Sequence, residues 1–178
     1  MIIWRSLAVL TMLVLPAVNS AQAQVNERPQ PLVISAQNLM AGDARHEELA
    51  ALGGDRNALL PGDVVHYRLV FTNTTDVPVR NVEFKDPLPA GLRYVDGSAL
   101  ADRDDVQVTY SIDGGRSYST QPMIEEIVDG EQVTRPAPVE MVTHVRWIVS
   151  SWVEPGAQVT AEFRAQLPAA EASEEPGK

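Results

Sequence analysis

The chain has 178 residues, 24 acidic against 14 basic side chains, a formal charge of −10, three histidines and no cysteine. That length suits one domain, able to bury roughly two thirds of the surface its unfolded chain exposes. The lack of cysteine excludes a disulfide scaffold, cysteine-ligated zinc, iron–sulfur clusters and a thiol nucleophile. The acidic balance repels a phosphate backbone and argues against nucleic acid as a partner.

Residues 1–23 have the three-part form of a signal peptide. Arg5 is the only charge before Glu27, an apolar run from Leu7 to Leu15 follows it, and Pro16 ends that run. Ala21-Gln22-Ala23 then presents small residues at both positions that signal peptidase reads, so cleavage is expected after Ala23. The apolar run is too short to persist as a spanning helix, and no later segment is apolar enough to span. The expectation is a periplasmic or secreted product with no integral membrane segment after cleavage. Residues 24–31 read as a flexible leader, residues 32–167 as the folded domain, and residues 168–178 as a disordered acidic tail.

Within the domain, a first strand is followed by a long link, residues 40–60, where residues 43–52 suit a short helix with Leu49 and Leu52 on one side. Thereafter the signal is period-2 alternation, which puts one set of side chains in a core and the other in water. Tyr67, Leu69 and Phe71 form one inward set, and Val106, Val108, Tyr110 and Ile112 another, against outward Gln107, Thr109 and Ser111. Val145, Trp147 and Val149 follow, and then Val159, Ala161, Phe163, Ala165 and Leu167. Pro61-Gly62 and Pro155-Gly156 suit the central positions of type II turns, each four residues before an inward valine. Asp129-Gly130 predicts a tight hairpin inside a second long link, residues 121–143. About seven or more short antiparallel strands with Gly/Pro turns predict an all-β sandwich.

The run Pro61-Gly62-Asp63-Val64-Val65-His66-Tyr67, continuing to Asn73-Thr74, resembles the opening of the conserved-repeat family known as domain of unknown function 11. Asn81-Val82 through Asp86-Pro87-Leu88-Pro89-Ala90-Gly91-Leu92 is similar to that family's core, and Val145 through Pro155-Gly156 to Phe163 to its ending. The resemblance implies an immunoglobulin-like β-sandwich on an exported bacterial protein, serving as spacer, scaffold or adhesive part, with no catalytic residues to carry over. One copy with two long links departs from the usual arrays. Independently of any family, Pro87 and Pro89 hold an extended backbone and Gly91 permits a sharp turn. Ser111-Ile112-Asp113-Gly114-Gly115-Arg116-Ser117-Tyr118 resembles the Asp-box of secreted β proteins, in which Asp113 accepts turn amides, Gly115 supplies positive φ and the aromatic packs back on the hairpin.

Chemistry-bearing patterns are sparse. His46, His66 and His144 share no metal-binding spacing, and His66 and His144 fall on outward phases. No phosphate loop or nucleophile elbow occurs. Asp102, Asp104 and Asp105 form an acidic knot in a loop, the candidate metal ligands for calcium, although without the glycine and distal glutamate of an EF-hand. Asn73-Thr74-Thr75 fits a glycosylation sequon but reads as a turn, and Trp152 lies past its strand. The expectation is therefore a non-enzymatic envelope module without cofactor. It would meet an envelope or extracellular protein partner through sheet edges or end loops. The alternative is a carbohydrate- or calcium-binding module built from the long links.

Overall fold

The computed structural model describes residues 30–169. The expected signal peptide, residues 24–29 of the expected leader and residues 170–178 of the expected tail lie outside them. Ten strands, one helix and one 3-10 turn follow in order: β1 Leu32–Asn38, α1 Ala44–Ala51, β2 Val64–Thr72, β3 Val82–Pro87, β4 Arg93–Tyr94, β5 Leu100–Ala101, β6 Val106–Ser111, β7 Met123–Val128, β8 Glu131–Pro136, the 3-10 turn Val139–Met141, β9 His144–Val149 and β10 Gln158–Gln166. Every strand pair is antiparallel. The larger sheet runs β1-β2-β10, with β4 and β5 both on the far side of β10, and the smaller runs β3-β9-β6. The expected all-β sandwich therefore forms, with the expected helix in the first link.

The core lies between the inward phases of the two sheets. From β10 come Val159, Ala161, Phe163 and Ala165, and from β9 come Val145, Trp147 and Val149, all fully buried. Trp147 sits between Phe84 and Phe163, at ring-centroid distances of 5.8 and 5.9 Å, and Tyr67 stacks on Phe163 at 4.8 Å. A buried indole needs a partner for its N–H. Trp147 Nε1 finds it 3.1 Å away in the carbonyl of Leu100, which links the core to the short β5.

The turn chemistry agrees with the residues. Asp63 N donates to Leu60 O at 2.9 Å across Pro61-Gly62, and Ala157 N to Glu154 O at 3.0 Å across Pro155-Gly156. Asp129 and Gly130 both have positive φ, 53° and 85°, the requirement of a two-residue type I′ loop. Asn73 is 2% exposed. Its Oδ1 accepts from Thr75 N at 3.0 Å, while its Nδ2 donates to the carbonyls of Val77 and Val153, both at 2.9 Å. The sequon asparagine is thus a buried clamp at the end of β2.

Two expectations need correction. Thr109 and Ser111 face away from the core yet are 4% and 1% exposed, because the Arg146 side chain bonds to the Thr109 hydroxyl and the Asp-box loop folds back over Ser111. Asp86 and Pro87 belong to strand β3 rather than to the turn, which is made by Pro89 to Leu92 (Leu92 N to Pro89 O, 3.1 Å). Asp86 shares the inward phase of Phe84 and is buried, and burial pushes its carboxyl above the usual range.

Removing a ring from the sheet interface leaves a cavity that close packing cannot fill. Phe163→Ala is expected to cost about 3–5 kcal/mol of unfolding free energy. Ile127→Ala, at a side chain 76% exposed on β7, is expected to stay within about 0.5 kcal/mol. Urea denaturation followed by tryptophan fluorescence measures both.

Candidate functional site

The densest polar cluster joins the first link to the sheet. Asp43 caps α1: its Oδ1 accepts from the amides of Arg45 and His46 at 3.0 and 3.2 Å, satisfying donors that the first helical turn leaves orphaned. The same oxygen lies 2.8 Å from His46 Nδ1. His46 Nε2, on the opposite edge of the ring, lies 2.9 Å from Asp63 Oδ2. Arg45 Nη2 bridges both carboxylates, at 2.8 Å from Asp43 and 2.7 Å from Asp63, while its Nη1 donates to Pro61 O at 2.8 Å. Asn38 Nδ2 and Leu60 N complete Asp63 Oδ2 at 2.8 and 3.0 Å. His46 and Asp63 are both fully buried.

With His46 protonated the cluster holds two negative and two positive groups and is neutral. The hydrogen bond to Asp43 raises the imidazole above its ordinary value, against the opposing effect of burial, and the Asp63 charge adds to the rise. Burial alone would raise Asp63. The Leu60 amide, Asn38, Arg45 and the His46 charge together hold its carboxyl below the usual range. Asp43 is held well below it by His46 and then Arg45. Asp43, His46 and Asp63 are also the set of Asp/His groups among the described residues whose ligand atoms lie close enough to share an ion. Their arrangement favours protons instead. The two carboxylates meet opposite edges of the ring, and the Arg45 guanidinium already takes the cation's place between them. Chemically the cluster is a pin that fastens α1, the end of β1 and the Pro61–Asp63 turn together. Spacing did not reveal it. The Asp43-x-x-His46 start of the helix is local, but Asp63 is brought in by the fold.

Elsewhere the expected motifs resolve into separate structures. In the Asp-box, Asp113 Oδ1 accepts from the amides of Arg116 and Ser117, both at 3.0 Å, and Oδ2 from the Ser117 hydroxyl at 2.6 Å. A Cβ on Gly115, whose φ is +83°, would come within 3.2 Å of His144 Nε2 and the Tyr118 hydroxyl. Tyr118 packs back as expected, its ring 4.2 Å from the Arg146 guanidinium carbon. In the acidic knot, Arg103 Nε and Nη2 hold the two oxygens of Asp105 at 2.8 and 2.9 Å, and Ser151 also bonds to Asp105. His66 Nε2 lies 3.1 Å from Glu162 on the outer face. Trp152 is 56% exposed beneath the Arg80 guanidinium. A cleft of about 420 Å3 opens between Tyr94, Tyr110, Pro122 and Pro136.

Two surface features carry little of this polar chemistry. Among the described residues, strand β1 pairs with β2 on one side only. Strands β7 and β8 pair only with each other, and every residue in them except Ile124 is exposed. Among the described residues no helix is long and apolar enough to cross a membrane. Comparison with family models, with curated proteins and with solved structures found no match.

The pin has a defined pH window. The His46 contribution is fully present below the unfolded imidazole value of about 6.5 and is lost as pH rises through the higher folded value. The Asp43 and Asp63 contributions are present above the unfolded carboxylate value and are lost as pH falls through the lower folded ones. His46→Gln is therefore expected to lower the thermal midpoint most near pH 5, by on the order of 10 °C, with the difference from the parent chain shrinking at alkaline pH. Thermal melts across pH 4–9 check this. A pH-independent difference would mean that His46 packs as a neutral ring.

Proposed function

We propose that the chain is an exported, non-enzymatic β-sandwich module with a structural, assembly or protein-interaction role in the bacterial cell envelope, and that it works by strand pairing. The observation that carries this reading is the β7–β8 arm. Its twelve residues form a two-stranded sheet of their own. Met123, Ile127, Val128 and Val133 are 40–76% exposed on it. An isolated two-stranded hairpin is marginal in water, because it buries too little apolar surface to offset its ordering. A partner that adds a strand to either open edge, or covers either face, supplies what the arm lacks. Export and the envelope setting are supported by the signal-peptide pattern and by the resemblance to the conserved-repeat family.

The alternative is a carbohydrate- or calcium-binding module. The Tyr94–Tyr110 cleft favours a small ligand there, its two tyrosine rings lying 5.3 Å apart beside prolines. At the Asp102–Asp105 knot the Arg103 guanidinium competes with any calcium for Asp105.

Affinity capture from an envelope extract tests the main reading. The bait is compared with a variant in which residues 123–136 are replaced by a short Gly-Ser link. A protein retained by the parent chain and lost with the variant is the expected result. Equal capture by both, or retention of glycan alone, would count against it.

A further inference from the structure

The second open edge, β1, differs chemically from the arm, and from it we infer that this module pairs with a second copy of itself. The inference rests on the strand-pairing reading above but concerns a different strand. The hydrogen bonds Thr72 N to Pro31 O and Leu39 N to Val64 O, each 2.8 Å, fix the phase of the β1–β2 ladder. By antiparallel alternation, Val33, Ser35 and Gln37 spend their backbone groups on β2. Leu32, Ile34 and Ala36 therefore turn their N–H and C=O groups outward, along an edge with no partner strand among the described residues.

The sequence of that edge is unguarded. Leu32–Asn38 reads LVISAQN, without charge or proline. The other edges are protected: β4 and β5 are only two residues each, β3 carries Glu83, Lys85 and Pro87, the outer side of β6 is bridged at Tyr110 by Ser119, and the arm carries three glutamates. Lysines, prolines and capping segments are how sheets discourage edge pairing, and β1 has none. A chain of charge −10 would repel a copy of itself across almost any other face, but β1 contributes nothing to that repulsion. Val33 and Ile34 are 54% and 48% exposed. Ile34 stands on the core phase opposite fully buried Leu69, yet among the described residues no strand borders it on its outer side. Beside it lies a cleft of about 560 Å3 lined by Ala36, Val65 and Tyr67.

A two-fold axis at Ser35 satisfies this edge. Ile34 of one copy then exchanges both backbone hydrogen bonds with Ala36 of the other, and Ser35 faces Ser35 as a non-hydrogen-bonded pair. The two larger sheets become one continuous sheet, and each Ile34 gains an apolar neighbour on the core face. One seven-residue edge is a small interface. The expected dissociation constant is accordingly weak, on the order of tens of micromolar.

The absence of cysteine allows a direct test. At a non-hydrogen-bonded antiparallel pair the Cα atoms approach to about 4.5 Å, within disulfide range. Ser35→Cys is expected to oxidise to a covalent dimer in air. Val33→Cys would sit roughly 14 Å from its own copy and should stay reduced. Ala36→Pro removes an outward N–H without touching the β1–β2 ladder. It should weaken dimerisation at least tenfold in sedimentation equilibrium, with a thermal midpoint close to that of the parent chain. A parent chain that sediments as a monomer at several hundred micromolar, with Ser35→Cys oxidising no faster than Val33→Cys, would overturn self-pairing. If such a monomer still captures an envelope protein through the arm, only the self-pairing falls. If it captures nothing, the strand-pairing reading falls with it.

Discussion

The rest of the structure depends on the burial of one face of β10. Four alternate residues of that strand, from Val159 to Ala165, have no exposure at all. The strand is also bordered on both sides, by β2 along nine residue pairs and by β4 and β5 on the other edge. A strand enclosed in this way cannot slip by one residue without turning its whole apolar set into water. Its register therefore fixes β2, where Phe163 stacks on Tyr67, and through the tilted contact of Phe163 with Trp147 it fixes the smaller sheet as well.

Around that core the long connections are secured by polar chemistry. The first link buries no large apolar face: α1 is short, and His46 is its single buried residue. Helices of eight residues are unstable alone. What holds this one is the exchange of charge and hydrogen bonds among Asp43, Arg45, His46 and Asp63, with the turn before β2 as its anchor. The Asp-box uses the same economy on the opposite sheet, where one carboxylate organises a loop that then covers Ser111. Asp43, Asp63, Asp105 and Asp113 are thereby committed to arginine, histidine, hydroxyl or amide donors.

What remains uncommitted is backbone and apolar surface at the periphery. The arm and β1 leave ladder groups open, and both carry exposed Val and Ile side chains. They differ in charge, and the difference sorts their partners. The acidic arm discourages a second acidic copy, whereas the uncharged β1 tolerates one. On the proposed reading, a module with two such edges joins like to like on one side and meets a different protein on the other.

The alternation of β2, β9 and β10, the two Pro-Gly turns, the Asp129-Gly130 hairpin and the short helix were all legible in the residues, because each depends on neighbours two to four positions apart. The inward place of Trp147 followed from the same periodicity. Asp63 read as a turn residue, and locally it is one. That it is also the buried acceptor for His46 and Arg45 depends on α1 folding back across a link, which no periodicity encodes. Likewise the hydroxyls of Thr109 and Ser111 fall on a phase that alternation assigns to water, and only the Arg146 side chain and the returning Asp-box loop cover them. Local sequence determined which segments are strands and which face of each is apolar, since side-chain sterics and burial act at short range. Tertiary structure alone decided which strand edges end without a neighbour and which charges meet, since both depend on segments far apart in the chain.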